Sequence, residues 1–337
     1  MKRNMTEWKK AILNSPQRVA IPILTHTGIE IIGKRVIDAV TDGQIHYEAI
    51  QVLSEKYPAA ACCTIMDLTV EAEAFGAQLV FPEDEVPSVT GRLVTDRESI
   101  EKLAIPSLES GRIPQFLLAN KLAAETLEKP LLSGCIGPFS LAGRLFDMSE
   151  IMMAMYIEPE STHLLLDKCT TFILSYCEAL KNLGANGVLM AEPAAGLLSN
   201  DACKEFSSIY VKKIVDKLQD DNFIVILHNC GNTGHCTEAT VFTQAAGYHF
   251  GNRIDMVTAL SGCPSDTLVM GNLDPVSILK QAKHTEVYDE TKKILEATKE
   301  YPNFILSSGC DVPPHVPLEN ITAFYQALED YNNTVNS

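Results

Sequence analysis

The chain has 337 residues, with 27 lysines and arginines against 43 aspartates and glutamates, so its formal net charge is -16. This acidic balance argues against nucleic acid or an anionic membrane as a partner, because both attract basic protein surfaces. The length suits one large α/β domain as well as two smaller ones, and no apolar run approaches the length of a membrane span.

The ten cysteines are predicted to be thiols rather than disulfides. Residues 1–8 lead into no apolar signal core, so we expect a cytoplasmic protein in a reducing compartment. Several cysteines lie within apolar or helical patterns, which is typical of small buried thiols.

Short apolar runs alternate with helical patterns along the chain, and uninterrupted apolar runs are typical of strands buried on both faces. After an apolar segment at 19–24, the predicted strands cover 59–66, 130–135, 187–190, 224–227, 254–257, 267–270 and 304–308. The predicted helices cover 6–14, 29–39, 44–57, 68–76, 98–103, 114–127, 148–155, 162–182, 201–218, 275–282, 285–299 and 318–328. Residues 81–94 are predicted to form an irregular loop.

The repeat of strand then helix, about eight times, predicts a (β/α)8 TIM barrel of the α/β class. An open doubly wound sheet is less favoured, because no glycine-rich phosphate loop follows the first strand. No segment of linker composition divides the chain. We therefore predict a single domain over residues 1–337, with residues 1–17 as an N-terminal helical extension.

Polar side chains follow several of the predicted strands directly. In a TIM barrel the C-terminal ends of the strands form one face, where active sites lie. The sequence therefore predicts a pocket lined by Asp67, Glu192, His228, Cys230, Asp274 and Cys310. Asp67 and Glu192 are the candidate catalytic residues. Asp67 and Asp274 have a second interpretation, as caps of the helices that follow them.

A metal site is predicted from His228, Cys230 and Cys310. One residue separates His228 from Cys230, so in strand geometry their side chains point to the same side. Cys310 ends a second apolar strand, and we expect the three residues to meet at one Zn²⁺ ion. Buried thiols beside a satisfied histidine are an alternative. A local structural site of His228, Cys230, His235 and Cys236 is another, less favoured because it leaves out Cys310.

The ligand types restrict the chemistry. Two thiolates and a neutral imidazole give Zn²⁺ a formally neutral centre. A thiol on such a centre stays deprotonated at neutral pH, where a free thiol with a pKa of ~8.5 is mostly protonated. An open position would therefore suit activation of a thiol as a nucleophile. Zinc alcohol dehydrogenases use the same ligand types for Lewis-acid chemistry, so both chemistries stay open.

Several motifs spread over most of the chain carry a resemblance to a known family. In chain order they are Gly28-Ile-Glu-Ile-Ile-Gly33, Val40-Thr-Asp-Gly43, Met66-Asp-Leu-Thr-Val-Glu-Ala-Glu-Ala-Phe-Gly76, Gly137-Pro-Phe-Ser-Leu-Ala-Gly-Arg144, His228-Asn-Cys-Gly231, Gly271-Asn-Leu-Asp-Pro275, Ser308-Gly-Cys-Asp-Val-Pro-Pro314 and Pro317-Leu-Glu-Asn320. On these motifs the chain resembles the uroporphyrinogen decarboxylase superfamily. Within it, the chain is similar to the cobalamin-dependent, zinc-containing branch that resembles methylcobalamin:coenzyme M methyltransferase.

The resemblance implies a (β/α)8 barrel with zinc on His228, Cys230 and Cys310, and transfer of a methyl group to or from a corrinoid cobalt. Family members can hold a fourth, exchangeable carboxylate on the metal, and Glu192 is the candidate by its place at a strand end. Corrinoid carriers of this type present a histidine from an Asp-x-His-x-x-Gly motif, and no Asp-x-His occurs in this chain. The expected cofactors are therefore Zn²⁺ and a corrinoid (methylcobalamin) that a separate corrinoid protein presents.

The direction of transfer stays open. In one direction, methyl-Co(III) gives its methyl group to a zinc-bound thiol such as coenzyme M. In the other, zinc polarises a methyl donor such as a phenyl methyl ether, and Co(I) takes the methyl group. Both are in-line displacements that hold the methyl group between cobalt and one heteroatom.

Two other functions are kept as alternatives. Uroporphyrinogen decarboxylases carry an arginine-rich motif after the first strand that binds the carboxylates of the porphyrinogen, whereas residues 21–28 here contain no arginine. A polycarboxylate buried without paired cations is disfavoured, so decarboxylation ranks below methyl transfer. The other alternative is a non-catalytic zinc-binding barrel that only docks a corrinoid protein.

Further polar residues have weaker predictions. Arg144 and His26 are the candidates for binding the cofactor or an anionic group, with a salt bridge and a turn position as their respective alternatives. His249 is predicted to be a lid residue or exposed. Glu71 and Glu73 point to different faces of a predicted helix, and we expect both to be solvated.

Overall fold

The protein is described by a computed structural model over residues 3–335. Its strands are Cys62–Cys63 (β1), Gln78–Val80 (β2), Ser88–Thr90 (β3), Leu131–Ile136 (β4), Gly187–Ala191 (β5), Ile224–Asn229 (β6), Gly247–Phe250 (β7), Leu268–Leu273 (β8) and Phe304–Ser308 (β9). Seven of them form one parallel sheet in the order β1-β4-β5-β6-β7-β8-β9, and β2 pairs antiparallel with β3.

Residues 19–21 close this sheet into a barrel. Ala20 forms a parallel bridge with Leu306 of β9, and the amide of Ala60, just before β1, donates to the Ala20 carbonyl at 2.9 Å. Pro22 has no amide proton to extend the ladder, so the closing segment stays short. The segment fills the position between β9 and β1, and the predicted (β/α)8 barrel is confirmed.

Helices alternate with the barrel strands. They are Met5–Leu13 (α1), Thr25–Ile31 (α2), Val36–Thr41 (α3), Gly43–Lys56 (α4), Val70–Ala74 (α5), Arg97–Lys102 (α6), Ile113–Thr126 (α7), Pro138–Phe146 (α8), Met148–Ile157 (α9), Pro159–Leu183 (α10), Asn200–Cys203 (α11), Ile209–Leu218 (α12), Thr237–Phe242 (α13), Met256–Ser261 (α14), His284–Ala297 (α15) and Leu318–Val335 (α16). Pro193–Leu197 is a 3-10 helix, and Lys204–Ser208 is π-helical. Within residues 3–335, none of the helices has the length and apolar character needed to cross a bilayer.

Two apolar layers hold the barrel together. The inner layer fills the barrel with alternate side chains of the strands and includes Met5 and Ile12 of α1. The Met5 amide donates to the Asp221 carbonyl at 2.6 Å, just before β6, so α1 covers the N-terminal end of the strands. The outer layer packs the helices on the sheet. The polar side chains of interest lie at the opposite, C-terminal end of the strands.

One predicted strand and one predicted helix are not formed. The strand predicted at 254–257 is a loop followed by α14, and the strand of this repeat is β7, whose apolar pattern His249 interrupts. Residues 275–282 form turns instead of a helix. There the Asp274 carboxylate accepts from the amides of Val276 and Ser277, both at 2.8 Å, so it caps a turn at the end of β8.

Candidate metal centre

Two strand ends bring His228, Cys230 and Cys310 together. His228 lies near the end of β6 and Cys230 directly follows that strand, while Cys310 follows β9 after Gly309. The ligand atoms of the three residues lie within 4.8 Å of one another, and Cys310 Sγ is 3.7 Å from His228 Nε2. Nitrogen and sulfur ligands of a tetrahedral zinc ion are roughly 3.5 to 3.8 Å apart. The cluster therefore has nearly the dimensions of a zinc site.

Two glycines allow the loops around the cluster to pack backbone against backbone. A Cβ atom on Gly251 would lie 2.5 Å from the carbonyl oxygen of Cys230. A Cβ atom on Gly309 would lie 2.7 Å from the amide nitrogen of Asn252. The loop after β7 therefore packs against both loops that carry the cysteines. This backbone packing limits the movement of the cysteine loops.

The two thiols of the cluster differ in acidity. The hydrogen bond between them lowers the pKa of Cys230 to about 7 and raises that of Cys310 to about 12. The positive charge of Arg253, on the loop after β7, makes a smaller contribution to the low pKa of Cys230. One sulfur is therefore easily ionised, and thiolate is the form that binds metal.

Buried hydrogen bonds hold His228 from the side away from Cys310. His228 Nδ1 lies 2.7 Å from His249 Nδ1 and 3.3 Å from the His249 carbonyl oxygen. His249 Nε2 lies 2.8 Å from Ser307 Oγ, and the Ser307 hydroxyl donates to the Ile21 carbonyl at 2.7 Å. His249 is 1% exposed on β7, so the prediction of a lid or exposed residue is wrong. Burial holds its pKa well below the usual range, which keeps the ring neutral.

His235 and Cys236, which the predicted local site requires, have other partners. His235 Nε2 lies 3.0 Å from the Leu198 carbonyl oxygen, and the buried Cys236 thiol is hydrogen-bonded with Cys203. Over residues 3–335, the one group of histidine, cysteine and carboxylate side chains close enough to share a metal is the cluster of His228, Cys230 and Cys310. The geometry favours ligands from two strand ends over the local site.

Glu192 follows β5 and is 1% exposed, with its carboxylate against the start of α8. Its Oε1 accepts from the Phe139 amide at 2.7 Å and its Oε2 from the Ser140 amide at 2.8 Å. The Ser207 hydroxyl donates to Oε1 at 3.2 Å. A Cβ atom on Gly137 would collide with the Glu192 side chain, so glycine makes room for it. Both oxygens already have donors, and a role of Glu192 on the metal stays a prediction.

Asp67 lies buried after β1, where it pairs with Arg112. One carboxylate oxygen contacts Arg112 Nη1, and the other accepts from the Thr69 amide at 2.9 Å and the Thr69 hydroxyl at 2.6 Å. Arg112 Nε also binds Glu73 Oε2 at 2.6 Å, so Glu73 is paired rather than solvated. These contacts give Asp67 a structural role, and its catalytic role stays a prediction.

The charges of Arg144 and Glu71 affect the pKa values of each other's side chains. Burial lowers the pKa of the Arg144 guanidinium, and the charges of Asp67 and Glu71 oppose that shift. Glu71 is 1% exposed, contrary to expectation, and its Oε1 accepts from the Ile136 amide at 3.0 Å. Its Oε2 has no hydrogen-bond partner in the part of the chain that the structure describes. The two carboxylates compete with any anionic ligand for Arg144, whose cofactor-binding role stays a prediction.

His26 lies beside the chain segment that carries Cys310. Its Nδ1 donates to the Val312 carbonyl at 3.0 Å and is 3.8 Å from Asp311 Oδ2. Asp311 Oδ1 accepts from the Thr25 amide at 3.1 Å. His26 and Thr25 thereby fix the residues next to Cys310, and a direct contact of His26 with a cofactor stays a prediction.

The matches to known proteins agree on one family. The family model described as uroporphyrinogen decarboxylase (URO-D) matches residues 14–331. The chain is 31% identical over 279 residues to the methylcobamide:CoM methyltransferase MtbA of Methanosarcina acetivorans, covering 79% of this chain and 78% of that protein. It is 28% identical over 284 residues to a uroporphyrinogen decarboxylase of Legionella pneumophila, covering 82% and 80%. A solved methyltransferase from Methanosarcina mazei has the same fold, with a TM-score of 0.87, 23% identity and coverage of 97% and 98%.

Proposed function

This chain belongs to the uroporphyrinogen decarboxylase (URO-D) family, and from that premise we propose that it is a zinc-dependent methyltransferase. It moves a methyl group between a corrinoid, which a separate protein carries, and a small molecule such as a thiol. The observation that carries this function is the cluster of His228, Cys230 and Cys310 at the C-terminal end of the strands. Relatives named as methyltransferases support the general activity.

The donor set of the cluster fits zinc. Cys230 and Cys310 supply two sulfur ligands, and His228 supplies one nitrogen. When bound, zinc holds a thiol substrate deprotonated at neutral pH. Three protein ligands with a fourth position for substrate are the pattern of catalytic zinc sites, whereas structural sites use four protein ligands.

The protein contributes position and charge. The loops that carry the cysteines are packed through Gly251 and Gly309, so the substrate atom is held at one place relative to the barrel. Two thiolates make the centre formally neutral, which favours a thiol as the substrate, with a phenyl methyl ether as the second candidate. In-line transfer requires the partner to place its corrinoid over the C-terminal end of the strands.

Zinc content per chain tests the centre in the wild type, Cys310→Ser and Cys236→Ser. We expect about one zinc ion per chain in the wild type and in Cys236→Ser, and loss of zinc in Cys310→Ser, because Cys236 lies outside the cluster. Cys236→Ser is the matched control, since it removes a thiol that lies outside the cluster. Zinc lost from Cys236→Ser and kept by Cys310→Ser would point to the local structural site instead.

Methyl transfer itself is tested with zinc-loaded protein, methylcobalamin and a panel of thiols and phenyl methyl ethers. We expect thiol methylation with loss of methylcobalamin absorbance, and no reaction with Cys310→Ser. Demethylation of an ether by reduced cobalamin, without thiol methylation, would assign the opposite direction. A zinc-loaded protein inactive with every donor and acceptor, including the corrinoid on its carrier, would favour the non-catalytic docking alternative.

Decarboxylation of uroporphyrinogen is the second candidate function, since a relative of that name matches over most of the chain. The arginines nearest the closing segment at residues 19–21 argue against it. Arg18 donates to the carbonyls of Thr298 and Lys299, and Arg35 pairs with Asp38 at the surface. Both guanidinium groups already have partners within the chain. Conversion of uroporphyrinogen by the purified protein would favour this second function.

A further inference from the structure

The hydrogen bonds behind His228 determine where the protons of three side chains lie. A hydroxyl group has one proton, and the Ser307 hydroxyl donates it to the Ile21 carbonyl at 2.7 Å. Ser307 Oγ therefore offers only a lone pair to His249 Nε2, which is 2.8 Å away. It follows that His249 Nε2 carries a proton and donates.

The tautomer of His228 follows from that of His249. A neutral imidazole has one N–H group, so His249 has a lone pair on Nδ1. His228 Nδ1, 2.7 Å from it, must donate into that lone pair. A second contact agrees, because the same Nδ1 is 3.3 Å from the His249 carbonyl oxygen, which can only accept. The lone pair of His228 is therefore on Nε2, the atom 3.7 Å from Cys310 Sγ.

We propose that His249 is a positioning residue that fixes His228 as the Nδ1–H tautomer and so presents the Nε2 lone pair to the metal. This inference rests on the zinc centre of the proposed function and adds a residue outside the His-x-Cys motif. His228, His249 and Ser307 are exposed by 3%, 1% and 0%, so water does not compete for these hydrogen bonds.

The relay from His228 through His249 and Ser307 to Ile21 links the metal cluster to barrel closure. β7 and β9 are separated by β8 in the sheet, so the bond between His249 and Ser307 reaches across β8. Ile21 belongs to the segment that closes the barrel against β9. The orientation of the ligand therefore depends on three strands and the closing segment being in place together.

The relay also brings no formal charge to the metal, because it ends on a backbone carbonyl. Many metal-binding histidines donate instead to a carboxylate, which raises the basicity of the ligand. Two thiolates and one imidazole with a neutral relay leave a zinc centre formally neutral. Such a centre accepts an additional anionic thiolate more readily than a negatively charged centre would.

The proton positions are measured directly in metal-free wild-type protein by ¹⁵N NMR of the histidine rings. We expect His228 to be protonated on Nδ1 and not on Nε2, and His249 to show the reverse. The chain has eight histidines, and the variants His228→Asn and His249→Asn assign the two signals. A His228 ring protonated on Nε2 in the metal-free protein would overturn the inference.

Zinc affinity, measured by competition with a chromogenic chelator, is the second readout. We expect His249→Ala to weaken zinc binding about 10- to 100-fold. His249→Asn should recover part of this loss, because its amide oxygen can accept from His228 Nδ1, and Ser307→Ala should cause a smaller loss. Ser133→Ala is the matched control, since it removes a fully buried strand hydroxyl that bonds Asn120 outside the relay. A cooperatively folded His249→Ala protein with wild-type zinc affinity would contradict the role given to His249.

Failure of this inference and failure of the proposed function give different results. A wild-type protein that binds no zinc overturns both the zinc centre and the role of His249 toward it. A wild-type protein that binds zinc and methylates thiols, but carries the His228 proton on Nε2, overturns only the relay.

Discussion

Glu71 is a buried carboxyl group, and its Oε2 has no hydrogen-bond partner within residues 3–335. Burial raises its pKa from 4.5 to about 7, while the hydrogen bond from the Ile136 amide and the charge of Arg144 oppose the rise. The unfolded chain has no such burial, so its carboxyl keeps the ordinary pKa. Between these two pKa values the folded state binds more protons than the unfolded state, and stability therefore falls as pH rises.

We expect Glu71→Gln to remove this pH dependence. At pH 8 the variant should be more stable than the wild type, by roughly 3 kcal/mol at most, because an amide has no charge to bury. As the pH falls to 4.5 and below, the carboxyl becomes protonated in the unfolded state as well, and the difference should shrink towards zero. Urea unfolding at pH 4.5, 6 and 8 measures it, with exposed Glu55→Gln as the control. A difference that is independent of pH would contradict the raised pKa.

At the scale of elements, the start of α8 is organised around Glu192. The first amides of a helix have no partner within the helix, and a carboxylate at that end satisfies them and interacts favourably with the helix dipole. Glu192 does this from the end of β5, and its bond with Ser207 connects it to the π-helical turn. One side chain thus joins β5, α8 and the segment before α12.

We expect Glu192→Gln to keep zinc and to lose stability. The amide nitrogen of glutamine would face a backbone amide, so at least one hydrogen bond is lost, at a cost of about 1 to 3 kcal/mol. Zinc content and urea unfolding measured on the same sample separate the two effects, with exposed Glu238→Gln as the control. Loss of zinc with unchanged stability would make Glu192 the fourth ligand that the family resemblance implies.

The sequence predicts the elements whose apolar pattern is continuous. β4, β5, β6, β8 and β9 lie where uninterrupted apolar runs occur, because strands buried on both faces need no polar alternation. Helix α8 is not predicted, since eight of its nine residues are buried and it shows no polar face. The hairpin of β2 and β3 lies in and beside a region predicted as a loop, because its strands are three residues long and mostly exposed.

The candidate site is predictable only as far as chain order allows. His228, Cys230 and Cys310 follow apolar strands, so barrel topology alone suggests that they meet. His249 is missed, because a histidine between Tyr248 and Phe250 interrupts the apolar pattern of a short strand. Hydrogen bonds to His228 and Ser307, which are distant in sequence, compensate for the burial of His249. The order of strands β6 to β9 in the sheet brings these partners next to His249, and the sequence alone does not show it.

At the scale of the whole molecule, stability and the metal cluster are separate. The inner apolar layer and the outer layer run through the barrel and its helices, and neither includes Cys230 or Cys310. The cluster lies at the C-terminal end of the strands, held by loop packing at Gly251 and Gly309 and by the relay behind His228. We therefore expect the barrel to fold without metal, unlike small zinc domains that unfold when it is removed.

Removal of zinc by a chelator should therefore abolish methyl transfer while the far-ultraviolet circular dichroism and the cooperative unfolding transition persist. In the proposed centre zinc binds the folded state, so mass action should stabilise that state as zinc is added back, by up to about 4 kcal/mol at 1,000 times the Kd. The melting temperature should rise accordingly. Cys310→Ser should show no such zinc-dependent shift, because it lacks one of the three ligands. A chelated wild-type protein that loses its helical signal would instead mean that the metal is part of the fold, and the C-terminal end of the barrel would then hold a structural site.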